Sequence, residues 1–376
     1  MEETKEDIKA KITTTPKPAN TLSVAAFVLA LSACGIGAYN YYHSGGVTNY
    51  NYGPDGNSMN FEAGSIADIA NKVSDSVVSI TTEVRTKTWF GTESTGQAAG
   101  TGFIISESGY IMTNKHVVEN AKTVNITLNS GKTYKNVKVV GLDPLNDSAI
   151  LKVENPENFK AVKLGDSKTI NPGQQVIVIG NALGEYSNSV TSGIISGTGR
   201  SLVASDSNGS AYEQLSDMIQ TDAAINGGNS GGPVVNAAGE VIGIATAYAS
   251  SSQTVGFAIP IASVKGIINN VLETGNFARA VLGVQYTTVT ADIADENNLP
   301  VNYGAYISDK ITSGGAGESI GLAKGDIITE VNGIKIGKAG SLSTLIGEYK
   351  VGDKITIKYL RNNQEHSKEV TLKAYK

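Results

Sequence analysis

Asn226-Gly227-Gly228-Asn229-Ser230-Gly231-Gly232-Pro233 sets one serine among four glycines, between two segments that read as strands. A nucleophile needs this setting when it must project from a sharp turn with bare backbone N–H groups beside it. A serine hydroxyl attacks poorly until a base takes its proton. The chain should therefore also carry a histidine, and a carboxylate to orient it. It holds three histidines, His43, His116 and His366. His43 follows an apolar run, and His366 lies in a polar segment near the end. Only His116 sits in ordered-looking sequence, Tyr110-Ile111-Met112-Thr113-Asn114-Lys115-His116-Val117-Val118. A strand there would end at the histidine and leave its ring at the rim of a sheet.

The acid has four candidates: Asp143, Asp147, Asp166 and Asp222. Asp147 stands just before Ala149-Ile150-Leu151-Lys152-Val153, the pattern of a buried strand. A carboxylate at the mouth of such a strand can hold an imidazole in one tautomer. Asp143, beside Pro144, reads better as a turn residue. The order His116, Asp147, Ser230 is that of chymotrypsin-like enzymes, not of subtilisins or α/β-hydrolases.

The chain resembles the HtrA/DegP family of serine proteases. The resemblance rests on Gly100-Thr101-Gly102-Phe103, Thr113 to Val118, Asp147 to Val153, Gly180-Asn181, and Gln220 to Asn226 leading into the serine loop. Two positions depart from the family pattern: Ser148 stands where leucine is usual, and Ala182 replaces a common proline. The resemblance implies a mostly β fold, a chymotrypsin-like double β-barrel with six strands in each barrel, followed by a PDZ domain. It implies that His116, Asp147 and Ser230 form a catalytic triad. The N–H groups of Gly228 and Ser230 would form the oxyanion hole. Ala224, six residues before Ser230, would floor the primary specificity pocket. Cleavage after small aliphatic residues in unfolded proteins is expected, as is assembly into trimers or multiples of trimers. The chemistry requires no metal and no cofactor. The rival reading is a non-proteolytic chaperone or pseudoprotease that holds unfolded chains with the same fold.

Composition agrees with a turn-rich β protein: 43 glycines and only 17% charged residues. A net charge of −5 gives no basic footprint for nucleic acid. Cys34 is the only cysteine, so no internal disulfide can form. The uncharged run Leu22 to Tyr39 is 18 residues long, about 27 Å as a helix, near the ~30 Å of a bilayer core. Lys5, Lys9, Lys11 and Lys17 precede it, and no Lys or Arg follows until Lys72. The positive-inside bias predicts residues 1–21 as cytoplasmic, 22–39 as a membrane anchor and the remainder as extracytoplasmic; the family resemblance implies that the membrane is a bacterial cell membrane. A cleaved signal peptide is one alternative. Lipidation at Cys34 is another, because Leu31-Ser32-Ala33-Cys34 resembles a lipobox.

Residues 40–64, rich in Gly, Asn, Ser and Tyr, read as a linker, and 65–275 as the protease domain. Short strands recur there: Phe103–Ile105, Val124–Leu128, Val137–Val140, Ile150–Val153, Val176–Ile179, Gly193–Ser196, Val234–Val235 and Val241–Thr246. Trp89 to Ala99 reads as a loop. Ile261 to Leu272 reads as a helix stopped by Gly275. Residues 276–376 form the second unit. A strand leading to Asn332-Gly333 predicts a hairpin. This unit resembles a PDZ domain, which implies that Val281-Leu282-Gly283-Val284 holds the carboxylate of a bound peptide C-terminus. Ser313-Gly314-Gly315-Ala316-Gly317 is poorer in alanine than usual, so the helix there should start late.

Overall fold

The computed structural model describes residues 65–375, except 88–92, 183–185, 206–211, 247–254 and 338. The expected anchor at 22–39, the linker at 40–64, His43 and Cys34 lie outside them. Among the described residues no helix is long and apolar enough to cross a membrane.

Helix α1 (Ile66–Ser74) opens on a capping box. The Ser65 side chain accepts from the Asp68 N–H, and the Asp68 carboxylate accepts from the Ser65 N–H. Seven strands follow: β1 (Val77–Lys87), β2 (Glu93–Ile104), β3 (Tyr110–Thr113), β4 (Thr123–Leu128), β5 (Thr133–Tyr134), β6 (Lys138–Leu142) and β7 (Ala149–Lys152). They form one antiparallel sheet in the order β5-β4-β1-β2-β3-β7-β6. A second set comprises β8 (Lys163–Leu164), β9 (Gln175–Ala182), β10 (Tyr186–Ser205), β11 (Tyr212–Thr221), β12 (Pro233–Val235), β13 (Glu240–Thr246) and β14 (Gly256–Pro260). Pairing of β12 with both β9 and β13 closes six of these into a ring, and β8 adds to β13 in parallel. Each sheet thus has seven strands, not six. The extra members are two-residue pieces: β5 at an edge of the first sheet and β8 beside β13 of the ring.

Period-2 alternation feeds two cores from one strand. In β9, Val176 and Val178 point into the second barrel, while Ile177 and Ile179 face the layer shared with the first sheet. In β2 and β3, Phe103 and Met112 join that shared layer, and Ile104 and Ile111 line the first sheet's own core. Both faces are buried, so these segments read as continuous apolar runs.

Two strand readings need correction. Residues 93–99 belong to β2 and are not loop, and β3 stops at Thr113, so His116 lies in a short helix, α2 (Lys115–Val118). A 3-10 turn (Ile261–Ser263) leads into α3 (Lys265–Thr274), which ends at Gly275 with φ 73°.

The C-terminal unit has β15 (Ala280–Val281), β16 (Val284–Thr288), α4 (Ala291–Glu296), β17 (Ala305–Ile311), α5 (Ala316–Ser319), β18 (Ile327–Val331), β19 (Ile334–Lys335), α6 (Leu342–Gly347), β20 (Lys354–Arg361), β21 (Gln364–Thr371) and β22 (Lys373–Ala374). The hairpin predicted at Asn332-Gly333 joins β18 to β19, with both residues at positive φ. His366 stacks on Tyr359 in the β20–β21 ladder, far from any catalytic setting. The late-starting helix is α5, only four residues long.

Candidate active site and peptide groove

The serine loop runs from the end of β11 to the start of β12 and is held from several sides. Asn229 N donates to Asn226 O at 3.1 Å, and Gly232 N to Asn229 O at 2.9 Å, so the loop is two tight turns. Gly228 and Gly231 have φ of 97° and 85°, which side-chain-bearing residues rarely adopt. Gly231 also has no room for a side chain: a Cβ there would lie 2.2 Å from Thr101 O and 2.3 Å from Thr113 Oγ1. Gly231 N donates to Ala245 O, and Ala245 N to Gly232 O, which bolts the loop to β13.

Thr101, on β2, links the first sheet to this loop. Its N–H donates to Ser230 O at 2.8 Å and its hydroxyl to Gly228 O at 2.6 Å. The same hydroxyl accepts from Asn181 N at 2.8 Å, and Thr101 O accepts from Thr113 Oγ1 at 2.6 Å. Thr101 is fully buried. The bond from the Thr101 hydroxyl ties the Gly228 carbonyl to β2. The Gly228 N–H has no acceptor among the described residues.

His116 and Asp147 are in direct contact. Asp147 is completely buried and divides its carboxylate between two donors. Oδ1 accepts from the His116 backbone N–H at 2.9 Å, and Oδ2 lies 2.6 Å from the ring Nδ1. Thr246 Oγ1 adds a longer bond to Oδ2 at 3.4 Å, and Asn114 Nδ2 donates to Asp147 O at 2.7 Å. A carboxylate against Nδ1 makes that nitrogen the donor and leaves Nε2 as the acceptor, the tautomer a general base requires. The ring is 34% exposed, so Nε2 can meet both solvent and substrate. Ser230 is buried on the facing barrel, and its neighbour Gly231 packs against the N–H of Asn114, two residues before His116. The seam between the barrels thus sets the serine loop beside the segment that leads into His116.

The other acids do different work. Asp222 Oδ1 accepts from Ile194 N at 2.7 Å and Asp166 Oδ1 from Lys168 N at 2.9 Å. Asp143 is a turn residue, its Oδ1 accepting from Leu145 N at 3.0 Å. It is also fully buried, and its Oδ2 meets Arg279 Nη1 at 2.5 Å. Ser148, the departure beside Asp147, sends its hydroxyl to the same Oδ2 at 3.4 Å. Nothing in the sequence pairs residues 136 positions apart, so this ion pair was not legible there. Ala224 is exposed, and its carbonyl accepts from Thr191 Oγ1 at 2.9 Å and Asn229 Nδ2 at 3.4 Å, tying it to the serine loop.

A groove of about 400 Å³ lies in the C-terminal unit, between the loop Val281 to Val284, strand β16 and helix α6. Gly283 has φ 75° and packs on Thr312 and Gly315. Leu145, from the loop that carries Asp143 and Asp147, also lines this groove. Tyr286 supports it from beneath: its hydroxyl accepts from Ser343 N at 3.1 Å, and burial pushes its pKa above the ordinary tyrosine value.

Residues 100–244 match the trypsin-like peptidase domain family, and residues 280–372 the PDZ domain family. A probable periplasmic serine endoprotease, DegP-like, from Marinomonas sp. (strain MWYL1) is 38% identical over 301 residues, covering 77% of this chain and 62% of its own. The periplasmic serine endoprotease DegP of Escherichia coli (strain K12) is 37% identical over 279 residues, 73% of this chain and 57% of its own. This chain therefore spans about three fifths of the length of those relatives. Among solved structures, the HtrA-type protease AlgW with decapeptide superposes with a TM-score of 0.58 at 30% identity, covering 83% of this chain and 99% of that one.

Proposed function

We infer that this chain, which belongs to the HtrA/DegP family of serine endoproteases, is itself an extracytoplasmic serine endopeptidase that degrades unfolded polypeptides under the control of its PDZ domain. The observation that supports this reading is the buried Asp147 carboxylate, which holds both the backbone N–H and the ring of His116.

In the proposed mechanism His116 takes the Ser230 proton as the hydroxyl attacks a peptide carbonyl. Asp147 stabilises the imidazolium that results. The N–H groups of Gly228 and Ser230 receive the oxyanion, and losing one such donor costs about 3 kcal/mol of transition-state stabilisation. His116 then returns the proton to the leaving amine, and water repeats the sequence on the acyl-enzyme. Ala224 offers no charge to a basic side chain, and the family resemblance favours small aliphatic residues in the primary pocket. The PDZ groove takes peptide C-termini at Val281 to Val284. Residues 22–39 anchor the chain in the membrane, with residues 1–21 cytoplasmic, and subunits assemble as trimers or multiples of trimers.

A fluorophosphonate probe tests the reading. The intact protein is expected to be labelled at Ser230 and to cut casein, and Ser230→Ala to do neither. A protein that resists the probe and leaves casein intact, even with a PDZ-binding peptide present, would be a peptide-holding chaperone instead. The anchor has a separate test in the intact mass of the membrane-extracted protein. Mass for the uncleaved chain is expected, and an acylated chain beginning at Cys34 would overturn it.

A further inference from the structure

The serine loop holds a reactive pair of its own, Asn226-Gly227, at the outer end of the turn that presents the Gly228 N–H. Both residues are exposed. The Asn226 side chain makes no hydrogen bond among the described residues, and neither does the Gly227 N–H. A Cβ built on Gly227 would meet nothing within 4 Å, so no neighbour screens this peptide. The turn is closed by Asn229 N donating to Asn226 O at 3.1 Å, which leaves the Gly227 N–H outside its hydrogen bond.

Asparagine before glycine is prone to a reaction that needs these conditions. The next main-chain nitrogen attacks the side-chain Cγ, and glycine has no Cβ to hinder the approach. At this site a bond forms between Gly227 N and Asn226 Cγ, and the Cγ–Nδ2 bond breaks. The Gly227 amide proton goes to base and Nδ2 departs as ammonia, leaving a succinimide. Water, the only other reactant, then opens either imide bond. One opening gives aspartate. The other gives isoaspartate, in which the main chain runs through the former side chain.

Two other asparagines show what protection looks like. In Asn332-Gly333, Asn332 Oδ1 accepts from Thr356 N at 2.7 Å and Nδ2 donates to Tyr349 Oη at 2.8 Å, which pins the amide. Asn229, beside the nucleophile, is 1% exposed and donates from Nδ2 to Ala224 O.

We propose that Asn226 is a site of spontaneous deamidation and that its isoaspartyl form disables the oxyanion turn. The second half rests on the reading of the Gly228 N–H as an oxyanion donor. In isoaspartate the carbonyl that accepts from Asn229 N leaves the main chain and becomes a free carboxylate. The chain gains one methylene between the Cα of residue 226 and Gly227 N. The turn is lengthened, and the Gly228 N–H moves off the position where it receives an oxyanion.

The site is tested on the full chain with Ser230→Ala, which prevents self-cleavage, held in mildly alkaline and in mildly acidic buffer. A gain of about 1 Da at residue 226 is expected, faster in alkali, with isoaspartate detected by isoaspartyl methyltransferase labelling. Asn226→Gln and Gly227→Ala are each expected to slow it several-fold. If residue 226 stays intact while a synthetic peptide of residues 223–229 deamidates, the site is overturned. The consequence is tested on the chain with Ser230 in place, aged in the same way. Fluorophosphonate labelling of Ser230, relative to each variant's own start, is expected to fall in step with isoaspartate at 226 and to persist in Gly227→Ala. Full labelling at high isoaspartate overturns the role given to the turn and leaves the deamidation site standing. A chain never labelled overturns the serine-protease reading and the second half with it, while the mass readout still decides the first.

Discussion

Thr101 shows how much of the site depends on a residue that performs no chemistry. Its hydroxyl satisfies a carbonyl 127 positions away and an amide on a different strand, both buried. Thr101→Val keeps the shape but strands both groups, at about 1–3 kcal/mol each. The Gly228 peptide then loses its tether. Peptidase activity in Thr101→Val should fall mainly in kcat, with KM nearly unchanged, as measured with a fluorogenic peptide. Gly231→Ala should be worse, because the added methyl meets Thr101 O and Thr113 Oγ1 at a φ that alanine avoids. About 2–4 kcal/mol of destabilisation is expected in a denaturant titration. The side chains of the proposed triad stood out in the sequence because serine, histidine and aspartate each came with a local pattern: a glycine turn, an expected strand end, a buried run. Thr101 lay within a quoted motif, but its role depends on partners brought close only by the meeting of two barrels.

At the level of elements, the sequence misled where glycine entered a strand. Residues 93–99 look like a loop, yet they pair residue for residue with Thr81 to Lys87 of β1. Further along β2, Gly100 faces Val117, and Gly102 faces Ile111 and Ile80, with no space for a methyl at either. The neighbours claim the volume, and the ladder overrides local preference. His116 shifted for a related reason. Asp147 accepts its backbone N–H, which draws residues 115–118 into a helical turn and away from the strand. Helix α1 starts on a cap that is wholly local. Ser65→Ala should cost about 1 kcal/mol, seen as a lower thermal midpoint, since only one side of the capping box would remain.

Across the whole molecule, the PDZ unit is docked on the protease unit by specific bonds. Arg279 and Asp143 form an ion pair that is almost wholly buried. Arg279→Met would leave Asp143 charged and enclosed, at about 3–5 kcal/mol, while Arg279→Met with Asp143→Asn should recover much of that loss. Chemical denaturation of the single and double variants checks it. Helix α6, the groove wall, is held by Asp217, whose Oδ2 accepts from Ser341 N at 2.6 Å, and by Glu348, which pairs with Lys168. Asp217→Ala should raise hydrogen exchange across residues 341–347 and spare β20. Beneath these contacts two glycines meet the opposing main chain without side chains between. A Cβ on Gly266 would sit 2.0 Å from Tyr349 O, and one on Gly347 2.3 Å from Ser263 O. Such a seam works like a key in a lock with a single notch. Grafting a foreign PDZ module onto this protease should succeed only when the donor also lacks a methyl at the second of those places; otherwise the module must tilt, and Leu145 will no longer border its ligand.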